Sequence, residues 1–304
     1  MDVSVIIINY NTISFIVNAI DSIFEKVEGV EYEIIVVDNN SSDNSKVVLA
    51  EKYGDKIIYF GLSENIGFGR ANNEAAKIAK GRNLFFLNPD TVLLNNAVKI
   101  LSNFLDDNPD VGCCGGNLYD ADEKPAHSFS RFSSPSIFSE INQLFLKLPE
   151  KILYGKNIFF NNTNKPLQVA YITGADLMIR KELFASFHGF DPDFFMYHEE
   201  TELEYRIKKA GYKIISVPHT QIIHLEGKSF QDNLCRVKNM IISRKIFLQK
   251  TQGLIAVSII NTLFFMLIIS RLLIFNILRN RNKIILWTFI YKQMRQKHFS
   301  LIKS

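Results

Sequence analysis

The chain has 304 residues, enough for one large domain or one domain with an appendage, and its mean hydropathy of +0.04 is that of a globular protein. Three cysteines without a CxxC spacing exclude a disulfide framework. The net charge of +4 hides an asymmetry: the first 232 residues hold 22 Lys and Arg against 31 Asp and Glu, whereas residues 233–304 hold 13 Lys and Arg and no acid. Such a basic tail favours an anionic partner surface, either nucleic acid or membrane.

The first ninety residues alternate strand and helix signals. In chain order these are the strand VSVIIIN, the helix Ile13–Lys26, the strand YEIIVVD, a helix from about Asp43 to Tyr53, the strand IIYFGL, a helix from about Gly69 to Ala79, and the strand NLFFLN. VSVIIIN is too short for a signal peptide and lacks a basic flank, so it is interpreted as a buried strand. Helices between strands give parallel βαβ units, and strands that are apolar throughout fit a sheet buried on both faces. The pattern therefore predicts an α/β fold with a doubly wound, mostly parallel sheet.

The pattern loosens after Asp90. A helix over Ala97–Leu105 precedes an irregular stretch from about residue 118 to 165, which contains three prolines and is interpreted as mobile loops. Order returns with the strand VAYITGADLMIR, a helix near Lys181–Phe187, a helix ended by Gly211, and the strand YKIISVP before TQIIH.

Polar residues stand at the ends of several predicted strands. They are Asp38, Asn65, Asp90, the pair Glu199 and Glu200, and His224. Loops at one edge of an α/β sheet are where such proteins bind ligands, so these groups suit a metal-bound, phosphate-containing substrate. Taken singly, Asp38 also fits a turn and Asn88-Pro89-Asp90 an Asn-Pro turn. Paired with Asp90, His224 is a plausible second metal ligand and suits Mn²⁺ better than Mg²⁺.

The segment NIGFGRANN predicts a glycine-rich loop that opens a helix and lets backbone N–H groups approach phosphate. Only Gly67 and Gly69 are present, and no GK[ST] follows, which disfavours both a dinucleotide fingerprint and a P-loop.

Four glutamates crowd the start of the helix that follows FFMYH. The helix dipole and pairing with Arg206 explain Glu202 and Glu204. A carboxylate beside the aromatic residues of FFMYH is partly desolvated, which raises its pKa and suits a general base.

The tail contains an apolar segment over residues 254–278, interrupted by Arg271 and flanked by basic residues on both sides. Its length is near the lower limit for a spanning helix, and Trp287 and Tyr291 are placed like interfacial aromatics. We expect it to contact a membrane by spanning it, dipping into it or lying on it. The alternative is a buried helical hairpin or a dimer interface.

Several motifs together resemble the family 2 glycosyltransferases, and the NNSSD, NPD and GFD..FF.Y forms resemble its rhamnosyltransferase-like branch. The motifs are VSVIIINYN, VVDNNSSD, NIGFGRANN, LNPD, ITGADLMIRKELF, GFDPDFFMYHEETELEYRIKKAGY and HLEGKS, and they cover roughly residues 2–230. The resemblance implies a GT-A fold and inverting transfer of a sugar from a nucleotide-sugar.

The resemblance also implies roles for individual residues. Glu200 takes the position of the catalytic base, Asp90 and His224 those of the ligands to a divalent metal (Mg²⁺ or Mn²⁺), and Glu199 and Arg206 lie on the acceptor side or behind the site. The donor would be bound by Tyr10, Asn11, Asp38, Asn65, Gly67, Asn72, Asn88 and Asp90. Two departures from the family pattern are Asn88-Pro89-Asp90 in place of DxD and Glu199-Glu200 in place of the usual Glu-Asp pair. The second moves the carboxylate by about one bond length, which affects its alignment with an acceptor.

The sequence thus predicts a GT-A glycosyltransferase domain over 1–232, with a donor half of about 1–115 and an acceptor half of about 116–232, and a helical membrane-associating tail over 233–304. Its donor would be a dTDP- or UDP-linked sugar, with rhamnose indicated by the branch, and its acceptor a glycan, lipid-linked, at the cytoplasmic face of the membrane in cell-surface polysaccharide synthesis. No nucleic acid partner is expected. The alternatives are an inactive membrane-associated glycan-binding subunit and a GT-A nucleotidyltransferase. The nucleotidyltransferase has less support, because this chain lacks the Gly-rich, basic N-terminal loop that such enzymes use.

Overall fold

The computed structural model describes residues 1–155, 158–225 and 233–296. These form two compact units. The first comprises described residues of 1–133 and 154–225, and the second comprises residues 134–153 and 233–296. The predicted boundary at 232/233 and the end of the HLEGKS motif lie outside the described residues.

The first unit is built on strands and helices that alternate along the chain. Its strands are β1 (Val3–Asn9), β2 (Tyr32–Asp38), β3 (Ile58–Gly61), β4 (Asn83–Leu87), β5 (Thr91–Leu93), β6 (Val111–Tyr119), β7 (Phe129–Ser130), β8 (Leu167–Gln168), β9 (Tyr171–Ile172), β10 (Asp176–Arg180) and β11 (Lys213–His224). Its helices are α1 (Ile13–Lys26), α2 (Ser45–Tyr53), α3 (Phe68–Ile78), α4 (Ala97–Asp107), α7 (Lys181–Ser186) and α8 (Glu199–Lys209).

Within the described residues the main sheet has nine strands in the order β3-β2-β1-β4-β10-β6-β11-β5, and β8 also pairs with β11. The β1, β2, β3 and β4 pairs are parallel, as predicted, whereas β10 runs antiparallel to both of its neighbours. Because two antiparallel steps restore the direction, β6 points the same way as β1 and β4. Strand β11 pairs parallel with β6 and therefore points this way as well. The carboxyl ends of these strands therefore share one edge.

The central strands β1, β4 and β10 bury both of their faces, whereas the edge strand β3 is half-buried or exposed. Val5 and Ile7 of β1 pack in one core with α1 and α4, while Ile6 and Ile8 pack in another with α3. Successive side chains of a strand point to opposite faces, so apolar residues at every position are what a sheet covered by helices on both sides requires.

The structure differs from the sequence expectations in several places. The segment VAYITGADLMIR is two strands, β9 and β10, separated at residues 173–175. The strands β5, β6, β7 and β8 were not predicted. The stretch 118–165, expected to be irregular, contains two helices that belong to the second unit.

The second unit consists of helices α5 (Ile137–Leu144), α6 (Leu148–Tyr154), α9 (Asn233–Thr251), α10 (Leu254–Ile277) and α11 (Arg281–Arg295). A capping box between Ser136 and Ser139 starts α5, and Pro149 falls in the first turn of α6, where a missing N–H costs nothing. Only α10 among the described helices is long and apolar enough to cross a membrane, which by itself is weak evidence that it does.

Candidate active site

The carboxyl ends of β1 and β2 bring together Asn9 and Asp38, which face each other in the strand register. The Asn9 side chain donates to Asp38 Oδ1 at 2.6 Å, and the backbone N–H of Ser41 donates to Asp38 Oδ2 at 3.1 Å. Burial, and after it the negative charge of Asp38, holds the pKa of Tyr59 well above its usual value. The Asp38 carboxylate is therefore fixed in orientation, and its oxygens keep lone pairs for further donors.

Asn39 ties the loop after β2 to the glycine-rich loop. Its side-chain oxygen accepts from the N–H of Ile66 at 3.0 Å, and its amide donates to Asn65 Oδ1 at 2.9 Å and to the Gly67 carbonyl at 3.3 Å. The N–H of Gly67 also donates to Asn65 Oδ1, at 3.0 Å. Asn65 thus holds the loop in shape, and the buried Asn39 is the residue that connects the two predicted donor loops.

Gly67 has a structural reason to be glycine in addition to the predicted approach to phosphate. Its backbone lies at φ 90° and ψ 168°, a conformation that is essentially restricted to glycine. A Cβ at this position would overlap the carbonyl oxygen of Phe195 and lie 3.0 Å from its Cα. The same carbonyl accepts from the N–H of Phe68 at 2.9 Å. The glycine-rich loop is therefore docked on the segment that leads to Glu199 and Glu200.

Three other residues predicted to bind the donor have distinct environments. Tyr10 is exposed beside the loop after β1. Asn11 lies at φ 56°, and its side-chain oxygen accepts from the N–H groups of Ser42 and Asp43, at 2.7 and 3.2 Å. Asn72 is fully buried inside α3, where its amide donates to the Phe68 carbonyl at 3.1 Å and its Oδ1 has no hydrogen-bond partner among the described residues.

Asp90 and His224 meet at the same sheet edge. Strand β5 pairs antiparallel with the end of β11, opposing Thr91 to His224, and the Leu225 N–H donates to the Asp90 carbonyl at 2.9 Å. His224 Nε2 lies 3.4 Å from Asp90 Oδ1 and 3.5 Å from the side-chain nitrogen of Asn88. A buried carboxylate beside an imidazole is a donor set suited to a divalent cation of the Mn²⁺ type.

Glu200 reaches this region through the loop between β9 and β10. The Ala175 carbonyl accepts from the N–H of Asn88 at 2.9 Å. A Cβ built on the preceding Gly174 would lie 3.3 Å from Glu200 Cγ and 3.5 Å from its carboxyl carbon. The loop 173–175 therefore connects the Asn88-Pro89-Asp90 turn directly to the Glu200 side chain.

Glu199 and Glu200 begin α8 after two residues in the left-handed region, Tyr197 at φ 71° and His198 at φ 67°. Such conformations cost energy in residues other than glycine and are concentrated at functional sites. Burial raises the pKa of both carboxyls, and the charge of Glu200 raises that of Glu199 further. Backbone hydrogen bonds at the start of the helix favour the charged forms and lower each pKa, but the effect of burial is larger.

Arg206 holds the chain behind these glutamates. Its guanidinium forms a bidentate pair with Glu202 at 2.8–2.9 Å and donates to the carbonyls of Phe187 and Gly189. The predicted i,i+4 pairing is confirmed. Arg206 therefore anchors the turn at residues 187–189 to α8.

Two buried carboxyls outside the predicted site, Glu204 and Asp176, support the same region. The helix dipole and Arg206 were the explanation expected for Glu204, but in the structure Arg206 pairs with Glu202 instead. Glu204 Oε1 accepts from the N–H of Ile172 at 2.8 Å, and Asp176 Oδ2 accepts from the N–H of Gly116 at 2.5 Å. Burial raises the pKa of both groups well above the usual range. Glu204 thus fixes β9, which leads into the 173–175 loop beside Glu200.

Sequence reasoning also missed Asn39 and Gly174 as parts of the site. Both lie within motifs that the sequence singles out, DNNSSD and ITGAD. Their contacts are with residues far away in the sequence. The available signal was their position in loops that follow neighbouring strands.

Comparison with known proteins identifies the fold. The mannosyltransferase PcManGT from Pyrobaculum calidifontis, solved with GDP-Man and Mn²⁺, superposes with a TM-score of 0.61 at 16% identity over 97% of this chain and 88% of that one. GalNAc-T7, solved with UDP, GalNAc and Mn²⁺, gives a TM-score of 0.57 at 18% identity over 81% of this chain and 48% of that one. The chain has the GT-A fold, as predicted.

Relatives by sequence are named for glycan synthesis. The O-antigen biosynthesis protein RfbC of Myxococcus xanthus is 25% identical over 69% of this chain, and the match spans only 16% of RfbC. The rhamnosyltransferase WbbL of Escherichia coli is 26% identical over 64% of this chain and 72% of WbbL. The N-acetylglucosaminyl-diphospho-decaprenol L-rhamnosyltransferase of Mycobacterium tuberculosis is 22% identical over 64% of this chain and 67% of that protein. The model of the family described as Glycosyl transferase family 2 matches residues 4–185, more than half of the chain, and the chain is therefore a glycosyltransferase of family 2.

Proposed function

We propose that this glycosyltransferase moves a sugar, with inversion, from a dTDP- or UDP-linked donor to a hydroxyl group of a lipid-linked glycan. The observation that carries the proposal is the Asp90–His224 pair at the carboxyl edge of the sheet, joined through the 173–175 loop to Glu200. A charged donor diphosphate and a neutral acceptor hydroxyl need these two kinds of group, a cation site and a base, close together.

The donor would lie along the edge formed by β1, β2 and the glycine-rich loop. Asp38 accepts hydrogen bonds and would hold a base N–H or a ribose hydroxyl. The fixed Asn39–Asn65–Gly67 network gives this surface a defined shape before the donor arrives, which reduces the entropy lost on binding.

A divalent metal fits Asp90 and His224 when the diphosphate completes its coordination. The described residues contain no group of three or more His, Cys, Asp or Glu side chains placed to hold a metal ion. Mg²⁺ and Mn²⁺ bind through one or two protein ligands together with substrate phosphate oxygens, so two ligands suffice. When bound, the ion supplies positive charge for the departing nucleoside diphosphate.

Glu200 would take the proton of the acceptor hydroxyl as that oxygen bonds to the anomeric carbon. The bond from this carbon to the diphosphate breaks on the opposite face, and the diphosphate leaves with the electron pair. Burial raises the pKa of Glu200 toward the pH at which the enzyme works, and a general base is most effective when its pKa lies near that pH. Glu199, buried and packed beside Gly69, would position Glu200 without contacting the acceptor.

Rhamnose as the sugar and a polyprenyl-linked acceptor are supported by the names of the WbbL and M. tuberculosis relatives. The basic charge of residues 233–304 supports a place on the cytoplasmic face of a membrane, where anionic lipid attracts each Lys or Arg near its surface by about 1 kcal/mol. We propose that the catalytic domain covers 1–232 and the membrane-associating tail 233–304.

The test is nucleotide release by the purified protein across a panel of nucleotide-sugars, with Mn²⁺, Mg²⁺ or EDTA, and a membrane lipid extract as acceptor. We expect metal-dependent release from one donor, lost in Asp90→Ala and in Glu200→Gln and kept in Glu25→Gln, an exposed glutamate on α1. Release that survives Glu200→Gln would refute the base assignment, and nucleotide binding without release from any donor would favour a binding subunit.

A further inference from the structure

The helical unit contains an unexpected exposed apolar segment around the turn between α5 and α6. Its exposed apolar side chains are Phe145, Leu146, Leu148, Ile152 and Leu153, with 57–74% of their surface accessible. Lys147 and Lys151 lie among them. The two acids of this region, Glu140 and Glu150, are buried against Arg244 and Asn142, so the outward charge of the segment is positive.

This α5–α6 hairpin packs on the C-terminal helices. Glu140 and Arg244 form a buried ion pair at 2.9 Å, and the Arg244 guanidinium lies 4.2 Å from the ring centre of Phe264. Arg271 donates to the Gln143 carbonyl at 2.9 Å. The hairpin is therefore part of the same folded body as the basic tail, although about eighty residues separate them in sequence.

Helix α10 has two different faces. Ile260, Phe264, Leu267 and Arg271 recur at helical spacing, and this face contacts α5 and α9. The opposite stripe is exposed along the helix and contains Ile255, Ile259, Met266, Leu273 and Ile277, with Thr262 as an exposed polar residue between the second and the third. A mostly apolar stripe on one side suits a helix that lies in a membrane interface, but a spanning helix in a bundle has one as well.

Helix α11 distinguishes the two arrangements. It packs along α10, with the rings of Tyr291 and Phe265 5.3 Å apart, and Phe265 is at the midpoint of α10. Arg295 lies over the Tyr291 ring at 5.7 Å, and Lys245 of α9 donates to the carbonyl of Gln293 at 3.1 Å. If α10 crossed a bilayer, these cations would lie near its centre, where charged side chains are most costly.

We infer that the helical unit is monotopic: α10 lies along one leaflet of an anionic bilayer, with its exposed stripe and the α5–α6 turn inserted among the lipids and both of its ends on the same side. The occupant of the apolar surface is lipid because positive charge surrounds it. The apolar run of α11 between Lys283 and Lys292 is eight residues, about 12 Å of helix, far short of a bilayer core of about 30 Å. The inference rests on the proposed membrane association and not on the proposed reaction.

Single cysteines at the two ends of α10 test this topology. Gly253→Cys and Asn282→Cys, each in a Cys235→Ser background, place a thiol at an exposed position just before α10 and in the first turn of α11, and the buried Cys113 and Cys114 remain. The full chain is labelled in inside-out membrane vesicles with an impermeant maleimide, before and after detergent. We expect both thiols to react before detergent. Reaction of one end alone would show a span, and protection of both would place the ends inside the lipid; either result overturns the inference.

A second measurement tests the hairpin and needs no catalytic activity. We expect the double variant Phe145→Asp, Ile152→Asp to weaken binding to anionic vesicles at least tenfold. The apolar side chains of Phe145 and Ile152 favour binding by moving from water into lipid, and the aspartates do not. The matched control is Val47→Asp with Ile78→Asp, two exposed apolar residues of the first unit, which should bind as the parent does. Unchanged vesicle binding by the hairpin variant would overturn the assignment. Loss of self-association without loss of vesicle binding would overturn it as well, and would make the surface a contact between copies of the chain. Nucleotide release in detergent reports separately on the proposed reaction.

Discussion

Replacing Gly67 by alanine probes the contact between the donor loop and the glutamate loop. Two costs arise at this position. The backbone conformation, φ 90° and ψ 168°, costs a residue with a Cβ about 1–3 kcal/mol. The added methyl also overlaps the backbone of Phe195, and forcing an extra carbon into a packed site costs about a further 1–3 kcal/mol. We therefore expect Gly67→Ala to lower the free energy of unfolding by about 2–6 kcal/mol.

Gly211→Ala provides the matched control. Gly211 lies at φ 94°, but a Cβ there would meet nothing within 4 Å, so this variant carries the backbone cost without the overlap. Urea unfolding of both variants and the parent gives the difference between them, which isolates the contact with Phe195. We also expect Gly67→Ala to reduce nucleotide release strongly, because Phe195 must move and Glu200 follows it, whereas Gly211→Ala keeps activity. Equal losses of stability in the two variants, with full activity in Gly67→Ala, would refute this account.

Three further predictions concern single side chains. Glu204→Gln should gain stability relative to the parent as pH rises above the unfolded pKa of a glutamate, because burial raises the pKa of Glu204 and the folded parent therefore binds more protons than the unfolded chain. Between the unfolded and the folded pKa this group costs the parent about 1.4 kcal/mol for each pH unit, and thermal midpoints across pH measure the loss. Glu25→Gln keeps Glu204 and should follow the parent at every pH. Asn39→Ala should cost about 1–3 kcal/mol by removing the hydrogen bonds of a buried amide, including that from the part-buried N–H of Ile66. It should raise the donor KM more than it lowers kcat, and a fall in kcat alone would contradict the assignment of Asn39 to the shape of the donor loop. His224→Leu should raise the metal concentration for half-maximal activity about tenfold or more, measured by Mn²⁺ titration, and an unchanged titration would remove His224 from the metal site.

The sheet edge could be predicted from sequence because it depends on local patterns. Apolar runs located the ends of β2 and β4, and the parallel βαβ arrangement then placed Asp38 and Asp90 on one edge. The meeting of Asp90 with His224 depends on β5, a three-residue strand whose pairing with β11 spans more than 120 residues and has no local signature. The split between β9 and β10 was missed for a related reason, since the loop between them lies against Glu200, a long-range neighbour that the local pattern does not reveal.

The α5–α6 hairpin was missed for a different reason. Pro135 and Pro149 were interpreted as signs of irregular structure, yet one precedes the capping box at Ser136 and the other lies in the first turn of a helix. Proline at a helix start is compatible with a helix, and the serine pair was the available signal. No local sequence pattern identifies the partner of Glu140, because Arg244 is more than a hundred residues away in the sequence.

That buried ion pair affects any attempt to shorten the protein. Cutting the chain at residue 232, the boundary that charge alone indicates, would delete Arg244 and leave Glu140 as a buried acid deprived of its counter-charge. It would also uncover the side of α5 that α10 protects, adding an apolar surface to the exposed turn at Phe145 and Leu146. Such a truncated protein would be prone to aggregate. A soluble catalytic fragment is better obtained by excising residues 134–153 together with the C-terminal helices and closing the gap with a short flexible linker.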